Sequence, residues 1–261
     1  MTKNAISEFY DERDERIRHY ENNTDFSRLS QQWLETSMRE KYVYNFDWLG
    51  RPIIQYPQDM VAMQELIWSI KPDLIIETGI AHGGSLVFSA SILAMLDYCD
   101  AAENGVTLDP ARPRRKVLGL DIDIRAHNRE AIEKHAMASR IKMLQGSSIS
   151  PEIIEQVHDY AKDFKSILVC MDSNHTHEHV MAELKAYAPL VSVGSYCVVF
   201  DTFVEQMPED LFPDRPWGPG NNPQTAVKEF LVTHPEFEVN KSIEQKLQVT
   251  VAPYGYLRRV S

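Results

Sequence analysis

The chain has 261 residues, with 38 acidic against 27 basic side chains and a formal net charge of −11 at pH 7. That balance excludes nucleic acid and anionic membranes as ready partners, and the short run Arg112-Pro113-Arg114-Arg115-Lys116 does not reverse it. A composition of 43% hydrophobic and 25% charged residues suits a globular protein that buries a large core as one domain, or as one domain with an extension.

In chain order, the charged and aromatic residues up to about position 45, with Phe9, Tyr10, Ile17 and Tyr20 at helical spacing, predict amphipathic helices in an N-terminal extension. Trp48 to Asp59, rich in Pro and Gly, reads as an ordered loop before a helix from about Met60 to Ile70. Apolar runs then alternate with helical patterns. The strand-like runs are Leu74 to Ile76, Val117 to Leu120, Ile141 to Leu144, Ile167 to Met171 and Ser195 to Phe200. Helices are predicted at Ser85 to Leu96, Arg129 to Ala138, Pro151 to Lys162 and Glu178 to Ala188, with a polar inserted loop from Asp100 to Lys116. Continuous apolar strands separated by helices imply a parallel sheet covered on both faces, the doubly wound α/β class. After a helix around Ala226 to Val232, Phe237 to Val239 and Leu247 to Val251 are expected to pair as a terminal hairpin. No apolar leader opens the chain, and no run approaches the ~18 apolar residues of a membrane span. Cys99, Cys170 and Cys197 lack metal spacing and read as reduced thiols of a cytoplasmic protein.

The stretch Ile75-Ile76-Glu77-Thr78-Gly79-Ile80-Ala81-His82-Gly83-Gly84-Ser85 runs from strand through a glycine turn into a helix. Ligands of such sheets sit there, at the carboxyl ends of the strands. The glycines at 79, 83 and 84 do not match the dinucleotide fingerprint, and Asp121 lies well beyond the acid expected about 20 residues on. Glu77 at the mouth of the turn would repel the pyrophosphate that a helix N-terminus otherwise suits. A ligand with an ammonium, a sulfonium and ribose hydroxyls, but no phosphate, reconciles glycines with a carboxylate. S-adenosylmethionine is such a ligand, and Asp121 at the end of the second strand is placed to accept both ribose hydroxyl protons. The alternative is that Glu77 caps a nearby helix and the glycines only let helix and strand pack closely.

Ser147 and Ser148 follow the third strand, where they border an adenine or simply form a serine turn or cap. The fourth strand ends in Asp172-Ser173-Asn174-His175-Thr176-His177-Glu178-His179 and the fifth in Phe200-Asp201-Thr202. Asp172 and Asp201 at adjacent strand ends can hold one hard cation, and Mg²⁺ is usually bound through few carboxylates plus water and substrate oxygens. Such an ion lowers the pKa of a bound hydroxyl, and His175 has the near-neutral pKa of a general base. His175, His177 and His179 also fit a zinc site on an extended segment, whereas a helix starting here keeps only His175 and His179 on one face. The Pro/Gly/aromatic segment 212–227 reads as an acceptor-side loop or as a rigid connector.

Taken together, WLGRPIIQYPQDM, KPDLIIETGIAHGGS, GLDIDIR, GSS, MDSNHTHEHV, GSYCVVFDT and GYLRR resemble the cephalosporin hydroxylase family, which includes rhamnosyl and other sugar O-methyltransferases, over about residues 45 to 260. The resemblance implies a Rossmann-like methyltransferase domain over 46–261 behind a helical extension over 1–45. It implies S-adenosylmethionine as cofactor, with Mg²⁺ beside it. Glu77, Gly79, His82, Gly83, Gly84 and Ser85 then form the cofactor loop, Asp121 is the ribose acid, and Ser147 or Ser148 neighbours the adenine. Asp172, also beside the cofactor, and Asp201 are implied as metal ligands, and His175 as the catalytic base. The implied reaction is O-methylation of a hydroxyl on a sugar or glycosylated small molecule by a homo-oligomer that neither binds nucleic acid nor inserts into a membrane. Relatives carry Glu-Asp where this chain has Phe200-Asp201, so one carboxylate is missing and water, Asn174 or substrate completes the shell, with weaker Mg²⁺ affinity. Two other readings share the resemblance. One is β-lactam hydroxylation or methoxylation, for which no 2-His-1-carboxylate iron spacing is present. The other is an inactive module that binds S-adenosylmethionine.

Overall fold

The computed structural model describes residues 4–261. Asparagine side chains start the first two helices: Asn4 accepts from the Ile6 N–H ahead of α1 (Ala5–Glu21), and Asn23 from the Phe26 N–H ahead of α2 (Thr24–Arg39). The segment expected as a loop from Trp48 is instead a hairpin, β1 (Phe46–Trp48) against β2 (Arg51–Ile53). Leu49 and Gly50 both adopt left-handed backbone (φ 47° and 82°), the geometry that closes a two-residue turn with the twist of its strands. Proline at the first helical position then opens α3 (Pro57–Ile70).

From there strands and helices alternate: β3 (Leu74–Thr78), α4 (Gly84–Asn104), β4 (Lys116–Asp121), α5 (Ala126–Glu133), β5 (Ile141–Gln145), α6 (Pro151–Ala161), β6 (Ile167–Met171), α7 (His177–Tyr187) and β7 (Tyr196–Val199). The chain closes with α8 (Pro223–Thr233), β8 (Phe237–Val239), α9 (Lys241–Leu247) and β9 (Tyr256–Arg259). The sheet order is β5-β4-β3-β6-β7-β9-β8, parallel from β5 to β7, with β9 inserted antiparallel between β7 and β8. It is the doubly wound, Rossmann-like sheet expected. Alternation along each strand sorts the core into two layers. Ile75, Val117, Leu168 and Val198 face α3, α4 and α9, whereas Ile76, Leu118, Val169 and Val199 face α6, α7 and α8. Glu77, two residues beyond Ile75, therefore points to the α4 side.

Two expectations need correction. Leu247 to Val251 is not a strand: Asn240 caps α9, which runs to Leu247, and the partner of β8 is β9. The reason lies in Asp59, fully buried in the first turn of α3. It accepts from the Thr250 hydroxyl, from the Val251 N–H at 3.0 Å and from the Tyr256 hydroxyl at 2.9 Å, drawing 250–251 off any ladder. One apolar run is also longer than expected. α4, of 21 residues, is long and apolar enough to cross a bilayer, yet Leu86, Val87, Leu93 and Leu96 lie in the core.

The basic run dismissed in the sequence supplies a buried network at the opposite end of the sheet from the glycine turn. Asp97 of α4 receives Arg115 and Arg140, the latter at 2.5 Å, and Arg115 reaches Asp100 at 2.8 Å. Asp97, Arg115 and Arg140 are all buried, so each charge depends on the others for solvation. Asp97→Ala, which leaves the buried Arg140 without a carboxylate and Arg115 with Asp100 alone, is expected to cost about 3–5 kcal/mol in urea unfolding; a loss below about 1 kcal/mol would mean that the network behaves as a hydrated surface pair.

Candidate active site

Strand order reverses between β3 and β6, and the carboxyl ends of β3, β6 and β7 open a crevice there. A cavity of about 870 Å³ fills it. One wall is the loop from Gly79 to Ser85. The floor carries Asp172, His175 and Asp201, and the far side is formed by Tyr44, Phe212 and Trp217. The glycines answer first to backbone packing. A Cβ on Gly79, at φ +91°, would lie 2.1 Å from the Asp172 carbonyl oxygen, and one on Gly84 would lie 2.1 Å from that of Pro52. Only glycine lets β3 meet the β6 loop, and α4 meet β2, this closely. Gly83, at φ +82°, turns the chain into α4.

The same loop is clamped from outside. Arg51 Nε donates to the His82 carbonyl at 2.9 Å, and Asn128 Nδ2 to that of Ala81 at 2.9 Å. Asp121 accepts from the Ile80 and Ala81 N–H groups at 2.9 and 3.2 Å, so the acid at the end of β4 also braces the turn. Ser147 is half-buried. Ser148 is buried and bonds His179 Nε2 at 3.1 Å, which turns its hydroxyl inward.

Asp172, His175 and Asp201 come together, one ligand atom of each lying within 4.8 Å of the others. Asp201 stands in the left-handed region at φ +56°, uncommon without glycine, which swings its carboxylate back over the β6 loop. Its Oδ2 is 3.1 Å from His175 Nε2, and the His175 ring packs edge-on against Trp217 at 5.0 Å between centroids. Burial holds the Asp172 carboxyl well above the usual range, and repulsion from Asp201, Glu77, Glu183 and Asp59 adds to it. Burial also raises Asp201, with His175 opposing. The zinc reading does not assemble: His177 bonds Thr225 and Glu229, and His179 bonds Ser148 and Ser173. Asn174 also stands aside as a ligand, because its Oδ1 accepts from the N–H and hydroxyl of Thr176 at the start of α7.

Glu77 is not at the mouth of the turn. It is buried behind it, accepting from Ser85 and Ser89 of α4, and burial raises its pKa to about 7 despite those two donors. The helix-packing alternative describes its contacts, while Ser85, which does line the cavity, links Glu77 to it. Sequence reasoning missed Gln55, which lies between β2 and α3 and lines the cavity with its Nε2 3.3 Å from Asp172 Oδ2. It also left undecided the segment that supplies Phe212, Arg215 and Trp217 to the cavity wall.

The sequence profile described as rhamnosyl O-methyltransferase/CmcI matches residues 40–260. The chain belongs to this family. The rhamnosyl O-methyltransferase of Mycobacterium tuberculosis is 30% identical over 204 residues, 77% of this chain and 73% of the relative. That of Mycobacterium leprae is 27% identical over 214 residues, 81% of this chain and 82% of the relative. Among solved structures, a CmcI apo-structure aligns with TM-score 0.54 and 18% identity over 84% of this chain and 77% of that one. A CmcI structure with Mg and SAM aligns with TM-score 0.53 and 18% identity over 84% and 78%. These two carry the fold. As a member of the rhamnosyl O-methyltransferase/CmcI family, the protein is an S-adenosylmethionine-dependent O-methyltransferase.

The raised pKa of Glu77 has a definite sign. A carboxyl at about 7 when folded, against an ordinary 4.5, contributes stability fully below the lower value and loses it as pH rises through the higher one. Glu77→Gln keeps the neutral form, so the stability of the natural protein relative to this variant is expected to fall by up to roughly 3 kcal/mol between pH 5 and 8. Parallel unfolding curves across that range would show Glu77 to be hydrated.

Proposed function

We propose that the protein methylates a hydroxyl of a sugar or glycosylated small molecule, with Asp172 and Asp201 holding a divalent cation, Mg²⁺ foremost, beside S-adenosylmethionine. The observation that carries this reading is the meeting of the glycine loop, the acid pair, one histidine and an aromatic wall in a single cavity. The mycobacterial relatives are named for a rhamnosyl acceptor, and an aromatic wall suits the apolar face of a sugar ring. Asp172 and Asp201 fit a cation because Asp201 adds to the cost of charging Asp172, a cost that a divalent ion between the two carboxylates would offset.

When bound, S-adenosylmethionine supplies a methyl group on a sulfonium, and the cation supplies Lewis acidity toward an acceptor oxygen. The chain's own residues do the rest. Asp201 orients His175 through Nε2, which leaves Nδ1 to take the proton of the acceptor hydroxyl. The acceptor oxygen deprotonated in this way would be the nucleophile for the methyl group that S-adenosylmethionine would supply. Trp217 fixes the plane of the imidazole and shields it from water. The clamped loop from Gly79 to Ser85 aligns the donor, Asp121 receives the ribose, Ser147 borders the adenine, and Glu77 acts through Ser85. Independent iron chemistry on a β-lactam is disfavoured, since one histidine, not two, stands with the carboxylates among the described residues.

The extension expected over 1–45, of which residues 1–3 lie outside the described residues, partly roofs the acceptor side of the 46–261 domain, through Met38, Arg39 and Lys41 on the cavity rim. Phe9, Leu29 and Trp33 on its helices are exposed and would be covered in a homo-oligomer. A size-exclusion mass near 30 kDa, the mass of one chain, rules that assembly out.

Calorimetry with S-adenosylhomocysteine, followed by methyl-transfer assays on free and carrier-linked deoxysugars, tests the main reading. Binding without transfer to any sugar would instead support an inactive module. His175→Ala is expected to lower kcat by about 10²–10⁴-fold with S-adenosylhomocysteine affinity unchanged; a wild-type rate removes the base assignment.

A further inference from the structure

Phe200 stands where the family resemblance expects a second acid on the fifth parallel strand, and its ring is buried in the core on the α3/α4 side. The strand ends thus offer two carboxylates where the resemblance implies three. Gln55 comes to this gap from another part of the chain. It is 8% exposed, and its Nε2 lies 3.3 Å from Asp172 Oδ2. Its Oε1 is buried with no hydrogen-bond partner, one of three such side-chain atoms among the described residues. Gln55, Asp172 and Phe200 wall the same small cavity, about 30 Å³ in volume, together with the carboxylates Asp59 and Glu77. A buried acceptor oxygen left unpaired is unfavourable, because no donor replaces the water it has lost.

We infer that Gln55 supplies the oxygen ligand that Phe200 has removed, completing with Asp172 and Asp201 the protein's share of the divalent-cation shell. The inference rests on the cation proposed above. The nitrogen and oxygen of an amide are interchangeable in shape. Turned over, Gln55 places Oε1 at the 3.3 Å separation from Asp172 Oδ2 that Nε2 holds now. Oxygens on adjacent corners of one octahedral ion with bonds near 2.1 Å lie about 3 Å apart, so the two atoms suit a shared ion. The amide N–H group then faces the cavity shared with Asp59 and Glu77, where acceptors are plentiful. A neutral oxygen in place of an anionic one leaves the site with one less negative charge than the resemblance implies, which weakens its hold on any divalent ion.

The test is a direct titration of the full-length protein with Mn²⁺, followed by the electron paramagnetic resonance of the free ion, with no acceptor present. Gln55→Met keeps the shape and removes the oxygen, and it is expected to raise the Mn²⁺ dissociation constant on the order of 10-fold. Gln55→Glu restores the missing charge and is expected to bind Mn²⁺ more tightly than the natural protein. Thermal unfolding without metal confirms that both variants are folded. If both bind more weakly, the amide serves only as an N–H donor that holds Asp172, and the inference fails. It fails equally if neither variant changes affinity, or if the natural protein binds no Mn²⁺. Calorimetry with S-adenosylhomocysteine on the same samples keeps the cofactor reading separate from these outcomes.

Discussion

Mutual repulsion among carboxylates gathered beneath one end of the sheet is the constraint around which this molecule is arranged. Burial first, and then Asp201, Glu77, Glu183 and Asp59, raise the cost of charging Asp172. Most of them are answered locally. Asp59 has Thr250, Val251 and Tyr256; Glu77 has Ser85 and Ser89; Glu183 has Ser173 and Thr78; Asp201 has His175. Asp172 has one long bond from Gln55. The least compensated acid is therefore the one that faces the large cavity, and positive charge is most needed there. A cofactor carrying a sulfonium and an ammonium, and a divalent ion, are the kinds of ligand such an imbalance attracts.

Backbone geometry at the crevice serves the same end. The glycine at position 79 lets the first and fourth parallel strands, β3 and β6, deliver their loops almost into contact, which brings Asp172 beneath the glycine loop. The left-handed turn at Asp201 brings the fifth strand's acid across to meet it. Backbone strain of this kind costs stability and persists where the surroundings enforce it. Here the surroundings are the buried Phe200 on one side of Asp201 and the buried Thr202 on the other, with the Thr202 hydroxyl bonded to the Pro253 carbonyl.

The parallel strands were legible because burial on both faces writes itself as uninterrupted apolar runs, as in Ile167 to Met171. The meeting of Asp172, His175 and Asp201 was legible because residues at the ends of adjacent strands share one crevice, a position that local pattern reveals. What escaped was set by distant partners. Leu247 to Val251 carries a strand-like composition, but Asp59, far upstream, decides its conformation. Glu77 reads as a mouth residue until the alternation of β3 turns it toward α4. Gln55 gave no local sign, since nothing in WLGRPIIQYPQD says that its amide reaches Asp172. The Asp97–Arg115–Arg140 network likewise joins residues whose spacing carries no motif.

The bond between Asp59 and Tyr256 spans 197 residues, joining the start of the third helix to the last strand. On a ribosome, 197 further residues must emerge before this acid can find its phenol, and until then α3 presents a bare carboxylate at what will become the protein's interior. Contacts of such long range close late and slow the search for the native state. The bond that fixes the start of α3 against β9 therefore closes late: a nascent chain has its sheet begun well before this corner of the core is tied.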